Sequence, residues 1–201
     1  MKNYVKQGNS KLGPKVLVWT MSRKSCINKT DWCRKNCYGI KAEKQYGQHV
    51  LTPRQERYEL SKQSDFSDII IAELKRKKSK DYFRIHEVGD FYSNEYIDHW
   101  IKIVKEFPKT KFIAFTKSYS LKPKILELNE EPNITLYESL DESRQTQQIP
   151  EIFYSDVYKG VRTETPTELI CPVGITIKHP ACEKCGYLCW NAPNNVVFKQ
   201  H

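Results

Sequence analysis

The sequence predicts an α/β protein built on a parallel sheet, either open or curved into a partial barrel. Three observations carry this. Short apolar runs rich in β-branched residues alternate with amphipathic helical stretches up to about residue 140. Such strand–helix alternation implies parallel strands joined by right-handed crossovers. At 201 residues the chain is long enough for one domain with a core of its own. And three of its seven cysteines directly follow the first of these strands, where a parallel sheet places a functional site.

The elements follow in order. Residues 16–20 (VLVWT) form a short apolar run and are expected as a strand. Residues 21–38 are polar, hold three cysteines and are expected as a loop. A helix fits 39–51, and Pro53 suits the first turn of another. Ser64 or Asp65 is placed to cap the next, in which Phe66, Ile70 and Leu74 recur every fourth residue. Residues 82–88 are expected as a strand broken by Gly89-Asp90. Ser93 then caps the clearest amphipathic helix, with Ile97, Trp100, Ile101 and Val104 on one face and Pro108 beyond its end. A strand over 111–116 (KFIAFT), a short helix over 121–128 with Pro123 in its first turn, and a strand over 134–138 complete the alternation. Beyond 145, the runs 149–158 and 167–177 are weaker strand candidates. The expected organisation is an α/β core over residues 1–160 and a cysteine-rich C-terminal segment over 161–201, packed on the core.

Composition narrows the class. Apolar residues make up 39% and aromatics 12%, which argues against disorder. No run approaches the length of a membrane span, and the N-terminus lacks the apolar stretch of a secretory signal. A cytoplasmic protein without membrane contact is therefore expected, in a compartment where structural disulfides are rare. The formal net charge is +9. It is concentrated in residues 1–80, which carry 19 Lys/Arg against 7 Asp/Glu and peak at Lys75, Arg76, Lys77, Lys78 and Lys80. That half suits a nucleic-acid or nucleotide substrate. The peak alone equally suits the C-terminal turn of a helix, whose dipole favours cations.

The cysteines divide into Cys26, Cys33 and Cys37 (C-x6-C-x3-C) and Cys171, Cys182, Cys185 and Cys189 (C-x10-C-x2-C-x3-C). Four thiolates can close a zinc site or an iron–sulfur cluster. Three leave one iron of a 4Fe–4S cluster open to an exogenous ligand, whereas zinc would need a fourth donor such as His49. The three-cysteine loop directly follows the first strand of the alternation, and in parallel α/β folds sites lie beyond the carboxyl ends of strands. The other strands end in Gly89-Asp90, Thr116-Lys117-Ser118 and Glu138-Ser139. A glycine at a strand end admits close approach of a ligand, with an acceptor beside it. Asp90 suits an ammonium or hydroxyls, and Lys117 a carboxylate or phosphate. His86 lies on one face of its strand, where a core role is common.

The segments CINKTDWCRKNCYG, RIHEVGDFYSNEYIDHW, FIAFTKS and CEKCGYLCW, in this order, resemble the phage-encoded gene-product-88 family over roughly residues 10–192. That family is similar to radical S-adenosylmethionine (SAM) iron–sulfur proteins. The resemblance implies a partial or truncated (β/α) barrel of radical SAM type. It implies a 4Fe–4S cluster on Cys26, Cys33 and Cys37, SAM on the open iron, and a 5′-deoxyadenosyl radical abstracting hydrogen from an unknown substrate. By position, Tyr38, Gly89, Asp90, Lys117, Ser118 and Glu138 would face the cofactor. Cys171, Cys182, Cys185 and Cys189 would hold an auxiliary 4Fe–4S cluster, with zinc the alternative metal. An electron donor such as a ferredoxin or flavodoxin would be the partner. The usual radical SAM spacing is C-x3-C-x2-C with an aromatic before the last cysteine; in this chain Tyr38 follows it. Two other functions fit the same residues, a zinc-stabilised nucleic-acid-binding protein and a non-catalytic iron–sulfur electron-transfer or sensor protein.

Overall fold

The structure is a computed structural model that describes residues 2–9, 11–159, 168–172, 181–191 and 193–199. The described strands are β1 (Lys6–Gln7), β2 (Val16–Val18), β3 (Tyr82–Ile85), β4 (Lys111–Thr116), β5 (Ile134–Ser139), β6 (Phe153–Tyr158), β7 (Glu168–Ile170) and β8 (Asn195–Lys199). The described α-helices are α1 (Asp31–Asn36), α2 (Tyr38–Tyr46), α3 (Gln48–Leu60), α4 (Phe66–Arg76), α5 (Asn94–Glu106), α6 (Lys122–Asn129), α7 (Ala181–Lys184) and α8 (Leu188–Asn191).

The strands form one sheet in the order β1-β2-β3-β4-β5-β6-β8-β7. Every pairing is parallel except β1 with β2. From β2 to β6 each strand lies beside its successor, as expected when each crossover takes the same hand. The alternation of side chains then sorts two layers. Leu17, Phe83, Phe112, Ala114 and Leu136 join the main core with α4, α5 and α6. Val16, Val18, Ile113, Tyr137 and Val196 face the opposite side and pack with Tyr187 and Trp190 of the C-terminal segment. The β7–β8 pair also extends the sheet past β6. The part of the 167–177 run beyond Pro172 lies outside the described residues.

Helix α5 shows how directly the sequence acts. The Ser93 hydroxyl accepts the Tyr96 N–H at 3.2 Å, which fixes the first turn. Ile97, Trp100 and Val104 are fully buried on the face that the spacing marks. Each such side chain contributes about 2 kcal/mol of burial.

Three local expectations are corrected. Residues 21–38 contain a 3-10 turn, Arg23–Ser25, and helix α1, because the Ser22 and Thr30 side chains cap them. Pro53 lies inside α3 rather than in its first turn, since the helix already starts beyond Gly47, whose positive φ of 52° ends α2. The strand expected over 82–88 stops at Ile85, because His86 takes a φ of 64°. Hydrogen bonds from Glu87 N–H to the Trp19 carbonyl (2.8 Å) and from Met21 N–H to the Val88 carbonyl (2.9 Å) keep the two chain segments together past that point.

Candidate metal centres at two cysteine gatherings

The C-terminal edge of β2–β5 is knitted by carboxylates. Asp90 is buried, and its oxygens accept the Thr116 hydroxyl (2.6 Å), the Lys117 N–H (2.8 Å) and the Phe91 N–H (2.8 Å). Its own N–H donates to the Ser25 hydroxyl at 3.0 Å, just ahead of Cys26. Burial pushes the Asp90 carboxyl up, against the pull of those hydrogen bonds. Gly89 makes the approach possible. Its φ is 98°, and a Cβ there would lie 2.7 Å from Met21 Cγ and 2.9 Å from Ser25 Oγ. The glycine therefore admits the β2 loop to the β3 end.

Asp141, two residues beyond β5, performs the matching task for the cysteine loop and was not signalled by any spacing. It is buried and accepts the Thr30 hydroxyl at 2.7 Å. That same hydroxyl accepts the Cys33 N–H at 3.1 Å and so caps α1. Cys33 Sγ lies 3.8 Å from the Asp141 carboxylate. Lys117 Nζ pairs with Asp141 at 3.0 Å and donates to the Ser139 carbonyl at 2.6 Å. Burial opposes ionisation of Asp141, but Thr30 and Lys117 together hold its carboxyl below the ordinary range.

The other residues expected at this edge are placed as follows. The Ser118 hydroxyl is buried and donates to the Phe91 carbonyl. Glu138 is fully buried and accepts the N–H groups of Gln148 (2.9 Å) and Ile149 (2.8 Å), so it anchors the loop after β5. Tyr38 is exposed. His86 is a core residue, buried, with Nε2 2.9 Å from the Tyr96 hydroxyl. His49 is exposed on α3.

The seven cysteines are reduced, none of them in a disulfide. Cys26 is pushed up to about 12, by burial first and then by the charges of Asp90, Cys37 and Cys33. The first three thiols thus share one electrostatic neighbourhood at the sheet edge. Cys37 caps the start of α2, and its N–H donates back to the Cys33 carbonyl at 3.1 Å.

The second gathering lies on the sheet face opposite the main core. Cys171 follows β7 and donates its N–H to the Val197 carbonyl at 2.9 Å. The Cys182 N–H donates to the Lys11 carbonyl at 3.2 Å, and the Tyr137 hydroxyl donates to the Cys189 carbonyl at 3.0 Å. Trp190 Nε1 reaches the Phe83 carbonyl at 3.3 Å, and Tyr82 stacks on Tyr187 with ring centroids 4.1 Å apart. Burial pushes the Cys189 thiol up, and the charges of Cys171, Cys182 and Cys185 add to it. Cys182 is pushed up to about 11 by burial, then by Cys185 and Cys171, while Arg84 and Lys11 pull it down. Arg84 lies 5.1 Å from the Phe115 ring centroid and acts electrostatically on Cys182, on Cys189 and on Tyr38, the neighbour of Cys37.

The donor chemistry of both sets fits a thiophilic metal or iron–sulfur cluster. The thiols act electrostatically on one another within a three and within a four, and that mutual repulsion as thiolates is what a bound cation relieves. Among the described residues, no three or more His, Cys, Asp or Glu are grouped as a ready-made site for a metal ion.

Fold and cysteines together define the class: an α/β protein with a mostly parallel sheet, the larger core on one face and a cysteine-rich segment on the other. The chain belongs to the Gene product 88 family, whose model matches residues 3–191. It is similar to the Gene 88 protein of Mycobacterium phage L5, with 28% identity over 98% of this chain and 92% of the relative. The Gene 88 protein of Mycobacterium phage D29 is 27% identical with the same coverage. No solved structure gives a significant match.

Proposed function

We propose that the protein is an iron–sulfur enzyme of radical SAM character, phage-encoded and working in the cytoplasm of a bacterial host. In this reading Cys26, Cys33 and Cys37 hold a 4Fe–4S cluster with one iron open. Cys171, Cys182, Cys185 and Cys189 hold an auxiliary cluster closed by four thiolates. Once bound and reduced by a ferredoxin or flavodoxin, the open cluster supplies the electron that cleaves SAM to a 5′-deoxyadenosyl radical for hydrogen abstraction. No helix among the described residues is long and apolar enough to cross a membrane.

One observation carries the reading: three thiols share the C-terminal sheet edge with a buried ion pair. Cys33 Sγ lies 3.8 Å from Asp141, and Asp141 lies 3.0 Å from Lys117. An amino-acid group carries both an ammonium and a carboxylate. It can exchange partners with this pair, its carboxylate turning to Lys117 and its ammonium to Asp141. Asp90 holds the edge in shape, since its oxygens are occupied by Thr116, Lys117 N–H and Phe91 N–H.

The test is anaerobic incubation of reduced, iron-loaded protein with SAM, read by chromatography of the nucleoside products. The reading expects 5′-deoxyadenosine from the wild type and none from Cys37→Ala. Iron-loaded wild type that leaves SAM intact would overturn it.

A further inference from the structure

The basic half of the chain separates into two unlike surfaces. In the densest run three of the five cations are engaged, while Arg76 and Lys78 are exposed. Lys75 pairs with Glu106 at 2.6 Å, Lys77 with Glu73 at 3.3 Å, and Lys80 donates to the Lys77 carbonyl at 3.2 Å. It is the cationic end of α4, as the helix dipole favours. The stretch around the three cysteines is different. Over residues 24–46 the exposed cations are Lys24, Lys29, Arg34, Lys35, Lys41 and Lys44, and the only exposed acid is Asp31, itself 3.7 Å from Arg34. Between these cations, Tyr38 and Tyr46 are 48% and 54% exposed, the two most exposed of the large apolar side chains among the described residues. They are eight residues apart on α2, little more than two turns, and so lie toward one side of it. Lys24 and Lys29 also line a cleft of about 870 Å³ that holds Glu43, Glu56 and Glu59 as well; Glu43 is taken up by Arg23 (2.6 Å) and Arg54 (3.2 Å), and Glu56 by Lys2 (2.7 Å).

We propose that this surface binds single-stranded nucleic acid. The exposed lysines meet the phosphates, and the two tyrosines offer stacking faces to bases. Phosphate contact and stacking need no base pairing and carry little sequence preference, so the expected ligand is a flexible strand. An acidic protein partner would use the lysines but would leave two exposed tyrosines without a purpose. The proposal does not depend on the iron–sulfur reading, because binding is measured on the protein with or without metal.

The experiment is fluorescence anisotropy with a labelled oligo-thymidine strand of about 20 nucleotides, across a salt series. Wild type should bind at low salt with a log–log salt slope of about −3, as for four or five phosphate contacts on a single strand. Lys24→Glu with Lys29→Glu and Lys44→Glu should weaken binding at least tenfold and flatten the slope. Tyr38→Ala with Tyr46→Ala should weaken it roughly tenfold and leave the slope unchanged. Lys75→Glu with Arg76→Glu and Lys78→Glu makes the same change of net charge at the α4 end and should stay within twofold. Equal losses from the two charge reversals would overturn the proposal. So would absence of salt-sensitive binding by the wild type, or intact binding in the tyrosine variant.

Discussion

The two cysteine gatherings use the same donor atom in opposite surroundings. The four-cysteine set is woven into the molecule: Cys171, Cys182 and Cys189 pack against the apolar layer formed by Val16, Val18, Ile113, Tyr137 and Val196, with Arg84 and Lys11 as its charged neighbours. The three-cysteine set hangs on the rim. Helix α1 buries no residue and α2 buries only Gly39, and Thr30, Asp141, Ser25 and Asp90 tether the loop through hydrogen bonds. Cations beside a buried set favour a permanently anionic, closed site. The rim set has carboxylates as well as cations beside it: Asp90, Lys29 and Arg23 act on its thiols, and Asp141 pairs with Lys117 next to Cys33, so an incoming ligand finds partners for either charge. The difference separates a centre that is part of the architecture from one that the architecture presents.

Substitutions can break that contrast. The largest effect is expected from Asp90→Ala. It strands the Thr116 hydroxyl and two backbone N–H groups in a buried site and should cost on the order of 4 kcal/mol in denaturant unfolding. Trp190→Ala should cost about 3 kcal/mol by opening the C-terminal layer. It should disturb the environment of Cys189 while leaving that of Cys26 intact, as read by thiol-reactivity kinetics. Equal changes at both sets would show that the two regions are not independent. Gly89→Ala meets Met21 and Ser25 at a positive φ and should cost roughly 2 kcal/mol, felt first as faster modification of Cys26.

At neutral pH the smallest effect is at His86, which is read as a pH slope. Burial and then Arg84 lower the His86 pKa to about 3. The folded state therefore keeps His86 neutral while the unfolded chain gains a proton below about pH 6.5. The stability from neutral His86 is complete above that value and is lost as pH falls toward 3, by up to about 1.4 kcal/mol per pH unit. His86→Asn tolerates the positive φ and cannot titrate. Its stability should fall less steeply between pH 6 and 4, and identical slopes for the two proteins would refute the assignment.

Strands β2 to β5 were legible as short apolar runs, and α4 and α5 from their 3.6-residue spacing, because burial imposes these patterns directly on the sequence; β1 and β8 were not signalled. The two cysteine sets were legible from spacing, and the rim position of the first followed from the strand it trails. Asp141 was not. Nothing local marks an aspartate two residues beyond a strand, and its role arises only when α1 folds back onto the β5 end. Glu138 likewise reads as a candidate for a ligand until its carboxylate is seen to hold Gln148 and Ile149. The end of β3 was misplaced because a left-handed histidine carries no signal comparable to glycine. The cluster at Lys75–Lys80 gives the same lesson for charge: exposure and pairing, set by tertiary contacts, decide which cations are available.

The central claim is that two separate thiol sets hold two iron–sulfur clusters, one open and one closed. Metal analysis with EPR spectroscopy on anaerobically purified protein tests it most directly. The account predicts brown wild-type protein with about eight irons per chain and about four in Cys37→Ala, the remaining signal unchanged and insensitive to SAM. Colourless protein carrying zinc, or loss of all iron from the single substitution, would contradict it.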